Sequence, residues 1–286
     1  MASTTVESDE GLVRYEPALS LSGVVLGMSD VEYHARPELS STGARLLLDS
    51  PARFKHRLDH PIKGAALDLG TITHALVLGT PDPAQVIEGG RGKTEREREA
   101  RAAGKIPVLA EDYAVAQGMA EAVLAHKRAR FLLEQDGHSE ASVFATDPET
   151  GVKVRARFDR LLGALSVDLK TTSGSASAQG FGQSAARYGY PVQEAFYIDA
   201  LAWATGEQRA PMQFIVVEKA APHLVAVHQF DEAVRLVASE LAAKARRIYA
   251  DCLAADSWPG HGDDVIYTEI PAWWFSQNEE VEEVTF

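Results

Sequence analysis

The sequence predicts a mixed α/β (α+β) domain built around one central sheet flanked by helices. Three observations carry that expectation. Helical patterns dominate the first half. Three apolar-alternating runs joined by short turns follow, at Ala141–Ala145, Val152–Asp159 and Leu165–Lys170. After them the chain alternates helix, two strands and helix, an order that wraps helices around a sheet. The apolar content of 45% over 286 residues is enough for one sizeable core.

Each element has a local reason. Residues 1–25 read as a loose arm. Ser40 or Ser41 caps a helix reaching about Asp49, and Pro51 opens a second through about Leu58. Residues 64–79 are mostly apolar and stop at Gly79, with Pro81 beyond, which predicts a buried helix. Val86 and Ile87 suggest a short strand, and residues 91–105 a charged helix or loop. Tyr113, Met119, Ala120 and Val123 mark one face of a helix from Glu111 to His126, continuing toward Leu133.

Asp147-Pro148-Glu149-Thr150-Gly151 is a turn by composition. It joins the first two of the three strands, and a short turn at Gly163 joins the third, so the three form an antiparallel meander. Ser173 to Gly182 reads as a Ser/Gly/Ala linker. Pro191 starts a helix that ends near Gly206. Phe214–Glu218 and Leu224–Gln229 are strands, and Asp231–Leu253 is a long helix. The remainder is irregular. The division expected is an arm (1–25), a single domain (26–275) and an acidic tail (276–286).

Charge is unevenly placed. The net charge is −13, and residues 1–38 and 256–286 carry all of it, so residues 39–255 are neutral overall. That middle holds Arg91, Lys93, Arg96, Arg98, Arg101 and Lys105, then Lys127, Arg128 and Arg130. Interleaved Glu95, Glu97 and Glu99 fit a solvated helix face; the alternative is one phosphate-facing surface with acidic ends turned away. The single cysteine, Cys252, excludes internal disulfides, a multi-cysteine zinc site and a four-cysteine iron–sulfur cluster. No apolar run approaches the ~18–20 residues of a membrane span. The start is polar and acidic, unlike a secretory signal, so a cytoplasmic protein is expected.

The chemistry concentrates in Val167-Asp168-Leu169-Lys170-Thr171-Thr172, with Asp159 nine residues upstream. Residues two apart on a strand point to the same side, so Asp168 and Lys170 share a face. Charges set among Leu165, Val167 and Leu169 are costly without compensation, and a divalent cation compensates. Asp159 and Asp168 on adjacent strands can share one or two hard cations such as Mg²⁺ or Mn²⁺. Lys170 can then orient or help deprotonate a water, or offset phosphate charge. The same D-x-K spacing also fits a surface hairpin with ordinary ion pairs. His74 sits in an apolar helix, where a packed core histidine is the plain alternative. Glu140 opens the first strand of the meander, and Gln193 and Tyr197 share a helix face. Alone, each of these has an ordinary structural explanation.

Taken in order, Gly70-x-x-x-His74, Glu140, Asp159, Asp168-x-Lys170 and Gln193-x-x-x-Tyr197 resemble the RecB-like branch of the PD-(D/E)XK nuclease superfamily. The likeness is nearest to the nuclease domain of RecE-type exonucleases (exodeoxyribonuclease VIII and its phage relatives). It extends to Leu39-Ser40-Ser41, Glu140 to Phe144, Arg157-Phe158-Asp159, Tyr190 to Tyr197, Val217-Glu218-Lys219 and Ile270 to Trp273, covering residues 30–275. The resemblance implies a PD-(D/E)XK restriction-endonuclease-like core. His74, Asp159, Asp168 and the Leu169 carbonyl would be metal ligands, Lys170 the catalytic lysine and Glu140 a supporting acid. Gln193 and Tyr197 would orient the strand or the lysine. Thr171 and Thr172 are further candidates for phosphate contact. Phe158 stands where the superfamily's proline would precede the first Asp. The implied activity is Mg²⁺-dependent digestion of linear double-stranded DNA from its ends, 5′ to 3′, leaving 3′ overhangs for homologous recombination by strand annealing. Implied partners are DNA ends, further copies in a ring, and a single-strand annealing protein. A ring could line its channel with residues 91–105 and 127–130. The acidic run Glu279–Glu283 would be solvated or dock a partner. A structure-specific endonuclease, or a DNA-end-binding scaffold without catalysis, are the competing readings.

Overall fold

The computed structural model describes residues 5–7, 13–15, 23–60, 65–88, 94–163, 165–207 and 210–276. In chain order the first elements are β1 (Thr5–Glu7), β2 (Val13–Tyr15), β3 (Val24–Val25), α1 (Asp30–Ala35), β4 (Leu39–Ser40), α2 (Ser41–Asp49), α3 (Pro51–Asp59) and α4 (Ala65–Leu78). Next come β5 (Ala84–Ile87), α5 (Glu95–Ala102), β6 (Ile106–Leu109), α6 (Ala110–Ala125) and α7 (Lys127–Leu133). The second half holds β7 (Gly137–Thr146), β8 (Lys153–Leu162), β9 (Ser166–Thr172), α8 (Ala178–Tyr188), α9 (Tyr190–Thr205), β10 (Gln213–Glu218), β11 (Val225–His228), α10 (Glu232–Ala255) and α11 (Ala272–Ser276).

The central sheet has seven strands in the order β11-β10-β9-β8-β7-β3, with β4 against β8. The expected meander is present: β7, β8 and β9 are successively antiparallel. β9 then runs parallel to β10, because α8 and α9 carry the chain back across the sheet. Both faces are covered. Phe158, Phe214 and Val216 meet α2, α8, α9 and α10 on one side. Val167, Leu169, Ile215 and Val217 meet α4, α6 and α7 on the other. β9 is therefore an interior strand buried on both sides, so any charge on it is held by neighbours rather than by bulk water.

The caps behave as the sequence suggests. Ser40 accepts from the Gly43 amide, and Ser50 accepts from Arg53 with Pro51 as the first helical residue. Gly189 and Gly206 take left-handed conformations at the ends of α8 and α9. Arg246 on α10 donates to Asp147 in the β7–β8 turn and pairs with Asp199 on α9, which ties three elements together through one buried guanidinium.

Four expectations need correction. The linker of 173–182 gives way at Ala178 to helix α8. Ser177 caps it, and Phe181 and Ala185 are buried, so core packing overrides the small polar composition. Gly180 is required there, since a Cβ would stand 2.4 Å from the Ser175 carbonyl. The helix from 111 breaks at His126, whose ring accepts from the Ala129 amide and starts α7. β6, which pairs with β5, contains Pro107 and was hidden by it. Finally, β1 pairs with β2 and β3 joins the central sheet through β7, so the stretch read as an arm contributes strands. The acidic run Glu279–Glu283 lies outside the described residues.

Candidate active site

On β9, Asp168 and Lys170 lie opposite Phe214 and Val216 in the parallel register, so they face α9. Asp168 is only 3% exposed. Its carboxylate forms a triangle with two other side chains. Gln193 Nε2 on α9 donates to Asp168 Oδ1 at 2.6 Å. Lys170 Nζ donates to Gln193 Oε1 at 3.1 Å and stands 2.6 Å from Asp168 Oδ2. The last contact is a close ion pair, so each oxygen of the buried Asp168 carboxylate is held by a neighbouring side chain. Lys170 Nζ also lies 4.7 Å from the centre of the Tyr190 ring.

Asp159 occupies a break in β8. Phe158 and Leu161 both point into the α9-side core although they are three apart, so strict alternation slips between them. The β8–β9 ladder pairs Leu161 with Ser166 and Arg160 with Val167, and ends there. Beyond that rung the Leu169 amide donates to Asp159 Oδ2 at 2.7 Å. Burial, and then the negative charge of Asp168, push the Asp159 carboxyl well above its ordinary value; Lys170 and the Leu169 amide act the other way. His74 on α4 brings Nδ1 to 3.4 Å from Asp159 Oδ2, with 27% of its side chain open. Its packed surroundings lower its pKa despite the pull of Asp168, which favours a neutral, ligating imidazole.

Glu140 stands across from Asp159, since the flanking rungs pair Ser139 with Arg160 and Ala141 with Phe158. Its φ of 54° is left-handed, an unusual state for a non-glycine residue that turns its side chain out of the ladder. Arg157 Nε holds Glu140 Oε2 at 2.6 Å and Arg157 Nη2 donates to the Met28 carbonyl. Tyr197, one turn beyond Gln193, packs edge-on to Phe158 and hydrogen-bonds with Ser41; burial raises its phenol pKa.

The structure thus gathers Asp168, Lys170 and Gln193 into one network and places Asp159, His74 and Leu169 in another beside it. Glu140 is adjacent but engaged by Arg157, and Tyr197 supports the wall. Among the described residues no three His, Cys, Asp or Glu side chains stand close enough to hold an ion by themselves. The ready-made convergence of both aspartates and the imidazole on one point is therefore not present; each carboxylate faces its own donor. The donors nevertheless fit a hard divalent cation: the buried carboxylate of Asp168, the partly buried one of Asp159, and a neutral imidazole. The role of Arg157 as a clamp on Glu140 escaped the sequence reading, because an arginine on the polar side of a strand looks solvated.

The cations proposed to line a DNA path are mostly engaged locally. Arg101 pairs with Asp68, Arg96 with Glu88 and Arg130 with Glu134. Lys105 donates to the Asp82 carbonyl and Arg128 to Gln213. Arg91 and Lys93 lie outside the described residues.

Residues 40–269 match the model of a family described as a PDDEXK-like domain of unknown function (DUF3799). The chain belongs to that family. Its D-x-K strand is the feature for which the superfamily is named, and family and fold together place the chain among PD-(D/E)XK-like domains. It is similar in fold to a Eubacterium rectale protein whose exonuclease assignment is itself provisional. That similarity has a TM-score of 0.60 at 14% identity, and covers 90% of this chain and 100% of the other. A phage-related exonuclease from Haemophilus somnus 129PT matches at a TM-score of 0.34 and 10% identity, covering 77% of this chain and 96% of that one, too distant to bear on function. No curated protein matches the chain. No helix among the described residues is long and apolar enough to cross a membrane.

Proposed function

We propose that this PDDEXK-like chain is a divalent-metal-dependent exonuclease that digests linear double-stranded DNA from its ends, 5′ to 3′, leaving 3′ overhangs for recombination by strand annealing. The observation that carries the reading is the buried Asp168–Lys170–Gln193 triangle with Asp159 and His74 beside it. Asp159, Asp168, His74 and the Leu169 carbonyl would hold Mg²⁺ or Mn²⁺. The cation supplies Lewis acidity toward the scissile phosphoryl oxygen and lowers the pKa of water.

The remaining work belongs to the side chains. Gln193 fixes Lys170 and Asp168 relative to each other, so the ammonium is aimed rather than mobile. Lys170 orients the attacking water and offsets charge that develops on the phosphorane oxygens. Water oxygen bonds to phosphorus, the P–O3′ bond breaks, and the leaving alkoxide takes a proton from solvent. Glu140, held by Arg157, would be a supporting acid beside the cation, and the attacking water's proton passes to solvent. Assembly into a ring and service to an annealing protein belong to the same proposal; both suit a chain whose charge lies at its two ends.

The test is digestion of linear, nicked and closed-circular duplex, each with Mg²⁺ and with EDTA. Loss of linear duplex alone, requiring Mg²⁺, supports the exonuclease. Cutting of closed circles points to an endonuclease on the same core. Binding without cleavage points to a scaffold.

A further inference from the structure

The parallel pair β9 and β10 ends at Thr172 and Glu218, and the Lys219 amide closes the pair by donating to the Thr172 carbonyl. Ligands of open α/β sheets gather beyond such carboxyl ends. A cavity of about 510 Å³ opens there, between those strand ends and α8, and Lys170 forms part of its wall. Its other polar lining includes Thr172, Ser184, Arg187 and Lys219, and no Asp or Glu contributes to it. In a chain of net charge −13 that composition is a local inversion of sign. Among the described residues neither Arg187 nor Lys219 takes part in an ion pair, unlike Arg96, Arg101 and Arg130.

An aromatic path leads outward from the catalytic lysine. Lys170 Nζ lies over Tyr190, and Tyr190 stacks on Tyr188 with ring centres 5.8 Å apart and planes 28° apart. Tyr188 is 53% exposed, and the Arg187 guanidinium stands 5.7 Å from its ring. Arg45 donates to the Tyr188 carbonyl and pins the backbone at this point. Cations outside any ion pair, hydroxyls and a half-exposed tyrosine ring are the components that hold single-stranded nucleic acid. The volume falls within the ~300–1,000 Å³ of small-ligand pockets and takes a nucleotide unit, not a duplex.

We infer that this cavity is a single-strand DNA subsite: Arg187 and Lys219 hold phosphates flanking the scissile bond, and a base stacks on Tyr188. The inference rests on the nuclease reading for the identity of the strand, but binding is measurable without catalysis. The experiment is fluorescence anisotropy of a labelled twelve-residue oligothymidylate in EDTA, over a series of salt concentrations, with folding of each variant checked by circular dichroism. Arg187→Ala/Lys219→Ala weakens binding at least about tenfold and reduces the salt slope by about 1.4, from roughly 0.7 per phosphate contact on single strands. Tyr188→Ala weakens binding about tenfold with the slope unchanged, and Tyr188→Trp restores it. Wild-type affinity and slope in the double variant overturn the inference. Cleavage of linear duplex is scored separately. A chain that binds through these residues and never cuts keeps the subsite and loses the nuclease; one that cuts with unchanged KM in the double variant does the reverse.

Discussion

Replacing Glu194 by Gln stabilises this protein above neutral pH and leaves it unchanged in acid. Glu194 sits on α9, is 2% exposed, and accepts from the Met212 amide through Oε1 at 2.9 Å. Oε2 is buried without a hydrogen-bond partner beside a cavity of about 100 Å³ that also borders Arg235. Burial pushes its pKa from 4.5 up to about 7, more than the Met212 amide and Arg235 pull it down. The folded state therefore holds a proton that the unfolded state releases near pH 4.5. Stability is fully present below that value, falls as pH rises to about 7, and is level beyond. Two and a half pH units at about 1.4 kcal/mol each give a ceiling of about 3 kcal/mol. Water in the adjoining cavity reduces this, so roughly 2 kcal/mol is expected. Gln keeps the acceptor for Met212 and carries no charge. Urea unfolding of both proteins in EDTA at pH 4.5, 6 and 8 reads the effect: the curves coincide at the lowest pH and separate progressively. A difference that is the same at all three values, or that favours Glu194 at pH 8, refutes the reasoning.

Three further outcomes follow from the same geometry. Asp159→Asn keeps the acceptor for the Leu169 amide and removes a like charge near Asp168, so it raises the melting temperature in EDTA while cleavage falls at least about 100-fold. Gln193→Ala frees Lys170 and Asp168 from their shared partner, and steady-state kinetics show kcat lowered by about 10- to 100-fold with KM nearly unchanged. Arg246→Ala leaves Asp147 and Asp199 without their shared partner and costs about 3–5 kcal/mol in denaturant unfolding.

Much of the fold was legible because its signals are local. Alternation in Val152 to Phe158, the turn at Asp147 to Gly151 and the caps at Ser40, Ser50 and Asp231 each state their own conformation. α8 and β6 were not, because their sequences are poor advertisements for the element and only burial of Phe181, Ala185 and Val108 selects them. At the site, Asp168 and Lys170 followed from the two-residue period alone. His74, Gln193 and Tyr197 came only with the family resemblance, since no spacing links helices so far apart in the chain. The break in alternation at Asp159 and the left-handed Glu140 depend on how three strands meet, which one strand's pattern does not encode. The basic stretches needed the structure for a related reason: composition counts cations, and contacts decide which of them are engaged locally.

A time course of linear duplex with Mg²⁺, comparing the natural chain with Asp168→Ala and Lys170→Ala proteins whose circular dichroism is unaltered, asks most directly whether the buried triangle on β9 breaks phosphodiester bonds. Both variants should leave the DNA intact while the natural chain consumes it. Digestion by either at the natural rate would mean that the chemistry resides elsewhere.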